Sequence, residues 1–205
     1  MNARISRDLT TLEYILLGVL STGPQSGYSI NTTLQNGIYR WKASPGATYP
    51  ALKRLEKNGI IASEIQVVNE TQSRKVYRLT SQGEKLIDHW IAAPPTEHEL
   101  LEEHNVMLVK FLFAESRLTR KQVLAFLDEY EKRMDVFDAK LQIMHQFAQG
   151  VSSIHQKLIY RSIAMERIAH RRWLRSARRA LLNDEPESRN KEDAFATALE
   201  ALLKA

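Results

Sequence analysis

The apolar period of this chain changes twice within its first ninety residues, and that change restricts the fold more than any other feature. Up to Gly59 the apolar residues recur at three- and four-residue steps; from Ile61 to Leu79 they alternate; from Ser81 the helical step returns. A lone β-hairpin set among helices has no further strands to build a large sheet and must be stabilised by the helices around it. The first ninety residues therefore read as a small α+β unit.

The punctuation agrees with that period. Thr10 and Glu13 form a capping box ahead of the stripe Leu12, Ile15, Leu16 and Val19, and Gly23-Pro24 ends this first helix. Ser26 caps a second helix with Ile30 and Leu34 inward, closed by Asn36-Gly37. Ser44-Pro45 opens a third: the Ser hydroxyl is expected to accept a bond from a free helical N–H, and proline fits a first turn that needs no donor. This helix runs to Asn58-Gly59 and keeps Thr48, Leu52 and Leu55 inward, although Pro50 removes one bond to the Gly46 carbonyl. Ile61, Ser63, Ile65 and Val67 then alternate with Ala62, Glu64, Gln66 and Val68, the polar run Asn69–Ser73 turns the chain, and Arg74–Leu79 returns. A fourth helix spans Ser81–Ile91.

Ala92-Ala93-Pro94-Pro95 marks a boundary where the charge sign also flips. Beyond it every pattern is helical. Thr96 and Glu99 cap one helix carrying Leu101, Leu108, Phe111 and Leu112. Thr119 and Gln122 cap another, along which Val123, Leu127, Tyr130, Met134, Phe137, Leu141, Met144 and Ala148 form nearly four heptads of apolar seam. Gly150 interrupts it, and Ser152 or Ser153 restarts a helix reaching about Leu182. The fold class is therefore mainly α. A winged helix-turn-helix domain is expected over residues 1–93 and a helical dimerisation domain over 96–183. An acidic linker with a short C-terminal helix, carrying Phe195, Leu199 and Leu202, completes the chain over 184–205.

Composition removes several classes of function. The 205 residues contain no Cys, so disulfide scaffolds, thiolate metal sites and cysteine nucleophiles are excluded. Tyr14–Leu20, the longest apolar run, is far too short to cross a bilayer, and an apolar signal core is lacking, which makes the cytoplasm the expected location. No nucleophile–base constellation and no Gly-rich phosphate loop occur, so an enzyme is not expected, nor is a cofactor. His98 and Glu102 lie one helical turn apart with His104 nearby, but without a second pair of ligands they read as a solvated helix face rather than a metal site. The net charge of +5 is unevenly spread. Residues 1–80 hold ten Lys and Arg against five Asp and Glu, whereas residues 151–182 hold eight against one.

Three helices followed by a hairpin is the order of a winged helix-turn-helix, and the third helix presents Tyr49, Lys53, Arg54 and Lys57 on the side away from its inward stripe. A duplex major groove admits such a helix, while Arg74 and Lys75, just past the hairpin turn, reach phosphate or the adjacent minor groove. Four segments carry a resemblance: Tyr14–Leu20, Gly23–Ile30, Ser44-Pro-Gly-Ala-Thr-Tyr-Pro-Ala-Leu onward to Gly59, and Arg74-Lys-Val-Tyr-Arg-Leu-Thr-Ser-Gln-Gly. Over about residues 10–95 these resemble PadR-type transcriptional regulators, and the helical half resembles the dimerisation domain of the longer members more weakly, to about residue 182. The resemblance implies a bacterial homodimer that binds a dyad operator in double-stranded DNA, more often to repress than to activate, and in some members is released by a small aromatic effector. It also implies DNA contacts from Ser44, Tyr49, Lys53 and Arg54 on the recognition helix and from Arg74 and Lys75 on the wing, with Tyr28 a lesser phosphate contact. One departure is Glu70, an acid at a wing tip where relatives often carry Gly or a base.

Other conspicuous residues have plainer readings. Trp41 reads as a core anchor. The Arg171, Arg172, Arg175, Arg178 and Arg179 cluster is expected to pair with Glu97, Glu99, Glu102, Glu103 and the acidic tail rather than with nucleic acid. Trp90, Met107, Phe111 and Tyr160 are the candidates for an effector pocket near the junction of the halves. The alternative function is a helical interaction or scaffold protein that uses the winged helix for protein docking.

Overall fold

The computed structural model describes residues 9–36, 42–69, 72–101, 103–148 and 153–183. Among these are α1 (Thr11–Ser21), β1 (Gln25–Ser26), α2 (Gly27–Asn36), α3 (Pro45–Lys57), β2 (Ile61–Asn69), β3 (Gln72–Leu79), α4 (Ser81–Ala92), α5 (Glu97–Leu101), α6 (His104–Arg117), α7 (Arg120–Ala148) and α8 (Ile154–Asn183). They form two compact units that divide between Phe126 and Leu127.

In the first unit α1 is the central element. Ile15, Leu16, Leu17, Val19 and Leu20 are all buried, so the helix is enclosed nearly all round rather than along a stripe. It packs on α3, α4, α6 and β3. It lies tight against α6, where a methyl added at Gly18 would overlap the buried Phe113 ring. The Thr10–Glu13 capping box forms as the spacing implies. The sheet order is β1-β3-β2, antiparallel throughout, with Ile61 opposite Leu79 and Ile65 opposite Lys75.

Several expectations are corrected here. β1 was not foreseen, because two residues are too few to display a period. The hairpin strands extend to Asn69 and from Gln72, so the turn is tighter than Asn69–Ser73. The single helix expected from Thr96 is two, α5 and α6, although the Thr96–Glu99 box that opens the first is present. Ser44 sits at the N-cap of α3 without a side-chain cap bond. Its carbonyl instead takes the N–H groups of Ala47 and Thr48 and the Thr48 hydroxyl, at 3.0 Å each, so the third-position donor that the Ser hydroxyl would have met is already used.

In the second unit α7 and α8 are joined by an antiparallel ladder of ion pairs. Arg167 pairs with Asp138, Arg171 with Asp135 and Asp138, Arg175 with Glu131, and Arg178 with Asp128. Three members of the arginine cluster, Arg171, Arg175 and Arg178, are thus paired with acids of α7, a partner the sequence did not suggest. Asp128, Glu131, Asp135 and Asp138 recur at the same three- and four-residue steps as the arginines, which gives each cation a local acid once the helices run antiparallel. The seam residues Val123, Leu127, Tyr130, Met134 and Phe137 are buried as their spacing implies. Trp41, Glu70, Glu102 and residues 184–205 lie outside the described residues, as do the side chains of Leu141 and Met144.

Candidate nucleic-acid interface

Each side of α3 has a separate role. Thr48, Ala51, Leu52 and Leu55 are fully buried and hold the helix on α1, α2 and the base of the hairpin. On the flank facing the hairpin, Glu56 accepts hydrogen bonds from the Ser63 hydroxyl and, at 2.7 Å, from Lys75 Nζ. On the opposite flank Arg54 Nε donates to Glu13 Oε1 at 2.9 Å. Between the flanks Gly46, Pro50, Lys53 and Lys57 are exposed.

Tyr49 lies at the edge of this exposed strip, 45% accessible. Its ring sits beside the start of α2, and Gly27 leaves the room for it: an added Cβ there would fall 3.1 Å from Tyr49 Cε1 and 3.4 Å from Tyr77 Cε2. Ser44 is exposed one residue before the helix, and Tyr28 stands in solvent at the start of α2. Ser44, Tyr49 and Lys53 therefore share one accessible surface of the first unit.

The wing residues are differently placed. Arg74 is exposed, and its Nη2 donates to Gln66 Oε1 at 3.3 Å across the hairpin. Lys75 is tied to Glu56 and lies 5.1 Å from the centre of the Tyr77 ring. The hydrogen bond from Lys75 pulls the Glu56 carboxyl below its ordinary value, helped by Ser63, and the same bond raises the Lys75 ammonium above its own. Of the residues on one face of β2, only those at its base are covered. Ile61 is buried, while Ile65 is 65% and Val67 78% exposed on the face they share with Lys75 and Ser73. The hairpin reaches past the helices it packs on, so its outer half is uncovered among the described residues.

Sequence reasoning missed Glu13 as anything beyond a cap. Its carboxylate is 1% exposed, with Oε2 accepting from the Thr10 N–H at 2.9 Å and the Thr10 hydroxyl at 3.0 Å, while Oε1 takes Arg54. The only signal was an acid set within an otherwise apolar helix. Thr11 also links this end of α1 to Glu103, through a 3.2 Å bond to its Oε2.

The four effector-pocket candidates do not share one environment. Trp90 stacks on Tyr14 with ring centres 5.1 Å apart, lies under Lys110 Nζ at 5.0 Å, and is core, as is Met107. Phe111 is half-buried in the same unit. Tyr160 belongs to the second unit, where it lines a cavity of about 520 Å³ with Ala139, Ile163, Ala164 and Ile168. Among the described residues no group of acids and histidines is arranged to hold a metal ion; His98 Nε2 lies 3.8 Å from Glu103 Oε1. No helix among them is long and apolar enough to cross a membrane.

Comparison with known proteins gives a consistent result. Residues 16–89 match the family described as Transcriptional regulator PadR-like. The chain is similar to the negative transcriptional regulator PadR of Bacillus subtilis, 26% identical over 126 residues, which cover 61% of this chain and 68% of that protein. It is also similar to the transcriptional regulator Rv3488 of Mycobacterium tuberculosis, 46% identical over 43 residues, or 21% of this chain and 39% of that one. Among solved structures it matches Bacillus subtilis PadR in complex with operator DNA with a TM-score of 0.42 and 21% identity, covering 84% of this chain and 99% of that chain.

Proposed function

We propose that this chain, whose residues 16–89 match the PadR-like family of transcriptional regulators, acts as a homodimeric repressor on a dyad operator, with α3 in the major groove. The observation that carries the reading is the exposed strip of α3. Tyr49, Lys53 and Lys57 stand out from a helix whose other sides are fixed to the domain. Ser44 precedes the strip with a hydroxyl that caps nothing, and so has its donor and acceptor for a base edge or phosphate. Arg74 adds charge on the wing.

Dimerisation is supported by the N-terminal half of α8. Ile154, Leu158, Ile159, Met165 and Ile168 are more than half exposed there, an apolar surface beyond what a monomeric helix ordinarily shows to water. Two copies joined through it would bring two recognition helices to half-sites about one DNA turn apart, ~34 Å. Release by a small aromatic ligand belongs to the same proposal, with the cavity beside Tyr160 as its seat. The ring and apolar side chains there suit such a ligand, because the neighbouring Arg167 and Arg171 are matched by aspartates.

The experiment is fluorescence anisotropy of the full chain against duplexes from its own upstream region and random duplexes, at two salt concentrations. Tight, selective and salt-sensitive binding to one upstream fragment is expected, and small aromatic compounds should then displace it. Binding that is absent at low salt would overturn the reading in favour of a protein-docking module.

A further inference from the structure

Two cation–carboxylate pairs brace the flanks of α3, Arg54 with Glu13 and Lys75 with Glu56. Glu13 is buried at the capped end of α1, and its charge is compensated by Thr10 and by the Nε of Arg54. Drawing Arg54 away to a phosphate would leave a carboxylate in apolar surroundings short of its cation, an unfavourable exchange. On the other flank, Lys75 lies 2.7 Å from Glu56, so a phosphate approaching that ammonium meets a carboxylate beside it. Lys53 and Lys57 have no such anion at hand among the described ion pairs and project from the strip between the braces.

Resting on the DNA-binding reading above, we infer that Arg54 and Lys75 are positioning residues and Lys53 and Lys57 the phosphate contacts of the helix. Glu13 and Glu56 are the anchors: one fixes α3 to the N-terminus of α1, the other to the wing. The two pairs act on opposite sides of one helix, and together they set its roll about its own axis. That angle decides whether Tyr49 and Lys53 reach the same groove. A guanidinium has five donors, so the competing arrangement is a phosphate taken by the Nη atoms of Arg54 while Nε keeps Glu13. The two arrangements differ in the number of counterions that DNA binding releases.

The test measures affinity against salt for the full chain on its selected fragment and on a random duplex. The proteins are wild type, Lys53→Ala, Arg54→Ala, Glu13→Gln and the Glu13→Gln/Arg54→Ala double variant. Thermal melts fix a working temperature at which each is folded, and Arg54→Gln serves where Arg54→Ala does not fold. Lys53→Ala should lower the log–log salt slope by about 0.9. Arg54→Ala and Glu13→Gln should each weaken specific binding on the order of tenfold with the slope unchanged. The preference for the selected fragment over random duplex should fall with them, which a merely stabilising pair would not alter in folded protein. The double variant should be no weaker than the poorer single one, since the two side chains act as a unit. A slope lowered by about 0.9 in Arg54→Ala, or additive losses in the double variant, would overturn the assignment alone. Wild type without salt-sensitive binding would overturn the parent reading and this one with it.

Discussion

At the scale of single residues, the burial of a charge decides what its partner is free to do. Arg54, seen as a cation on a recognition helix, is a DNA contact in any sequence-level reading; only the structure shows the buried Glu13 forty-one positions earlier that holds it. The opposite holds for Tyr49 and Lys53, whose exposure follows from the inward stripe Thr48, Leu52 and Leu55, which was legible in the spacing. Tyr49→Ala should therefore weaken operator binding at least tenfold while leaving the unfolding midpoint nearly unchanged, as anisotropy and chemical denaturation would read together. Lys110 presents the same physics in the core. Its side chain is almost wholly buried, with Nζ 2.8 Å from Glu99, and burial pushes the ammonium below its ordinary value although Glu99 opposes the shift. The unfolded chain then holds this proton more tightly than the folded one, so stability should rise with pH between the lowered value and about 10.4. Lys110→Met should remove that rise, measured as the difference between the two proteins in urea unfolding at pH 8, 9 and 10.

At the scale of elements, the sequence revealed helices and caps well and revealed partners poorly. All three boxes at Thr10, Thr96 and Thr119 form, because they need only residues three apart. β1 and the break between α5 and α6 escaped notice because neither leaves a periodic trace. The α7–α8 ladder was half legible: pairing of the arginines with acids was expected, but the choice of α7 as partner of Arg171, Arg175 and Arg178 needed the antiparallel pairing. Its rungs are unequal. Asp138 serves Arg167, whose side chain is 8% exposed, and Arg171 as well, whereas Asp128 and Arg178 are both about half exposed. Asp138→Asn should cost about 3 kcal/mol, and Asp128→Asn less than about 1 kcal/mol, by denaturant unfolding. The α1–α6 crossing is a different kind of joint, closed by shape. Gly18→Ala should lower stability by roughly 2 kcal/mol, since the Phe113 ring is buried and must shift to admit a methyl.

At the scale of the whole molecule, the proposed function gives separate tasks to two exposed surfaces, the apolar half of α8 and the strip of α3. Ile159→Asp combined with Met165→Asp should yield monomers by sedimentation and weaken operator binding by a hundredfold or more, while the first unit keeps its far-UV spectrum. An unchanged sedimentation coefficient would overturn the assignment of this surface to dimerisation. The bracing of α3 has its own consequence for how such a chain evolves. Gly46, Lys53 and Lys57 lie outside the apolar packing and outside both ion pairs. After a gene duplication these positions are free to drift at little cost to folding. A descendant could retune its grip on a phosphate backbone within a few substitutions and inherit the domain's stability intact, which makes the strip an adjustable clasp on a fixed frame.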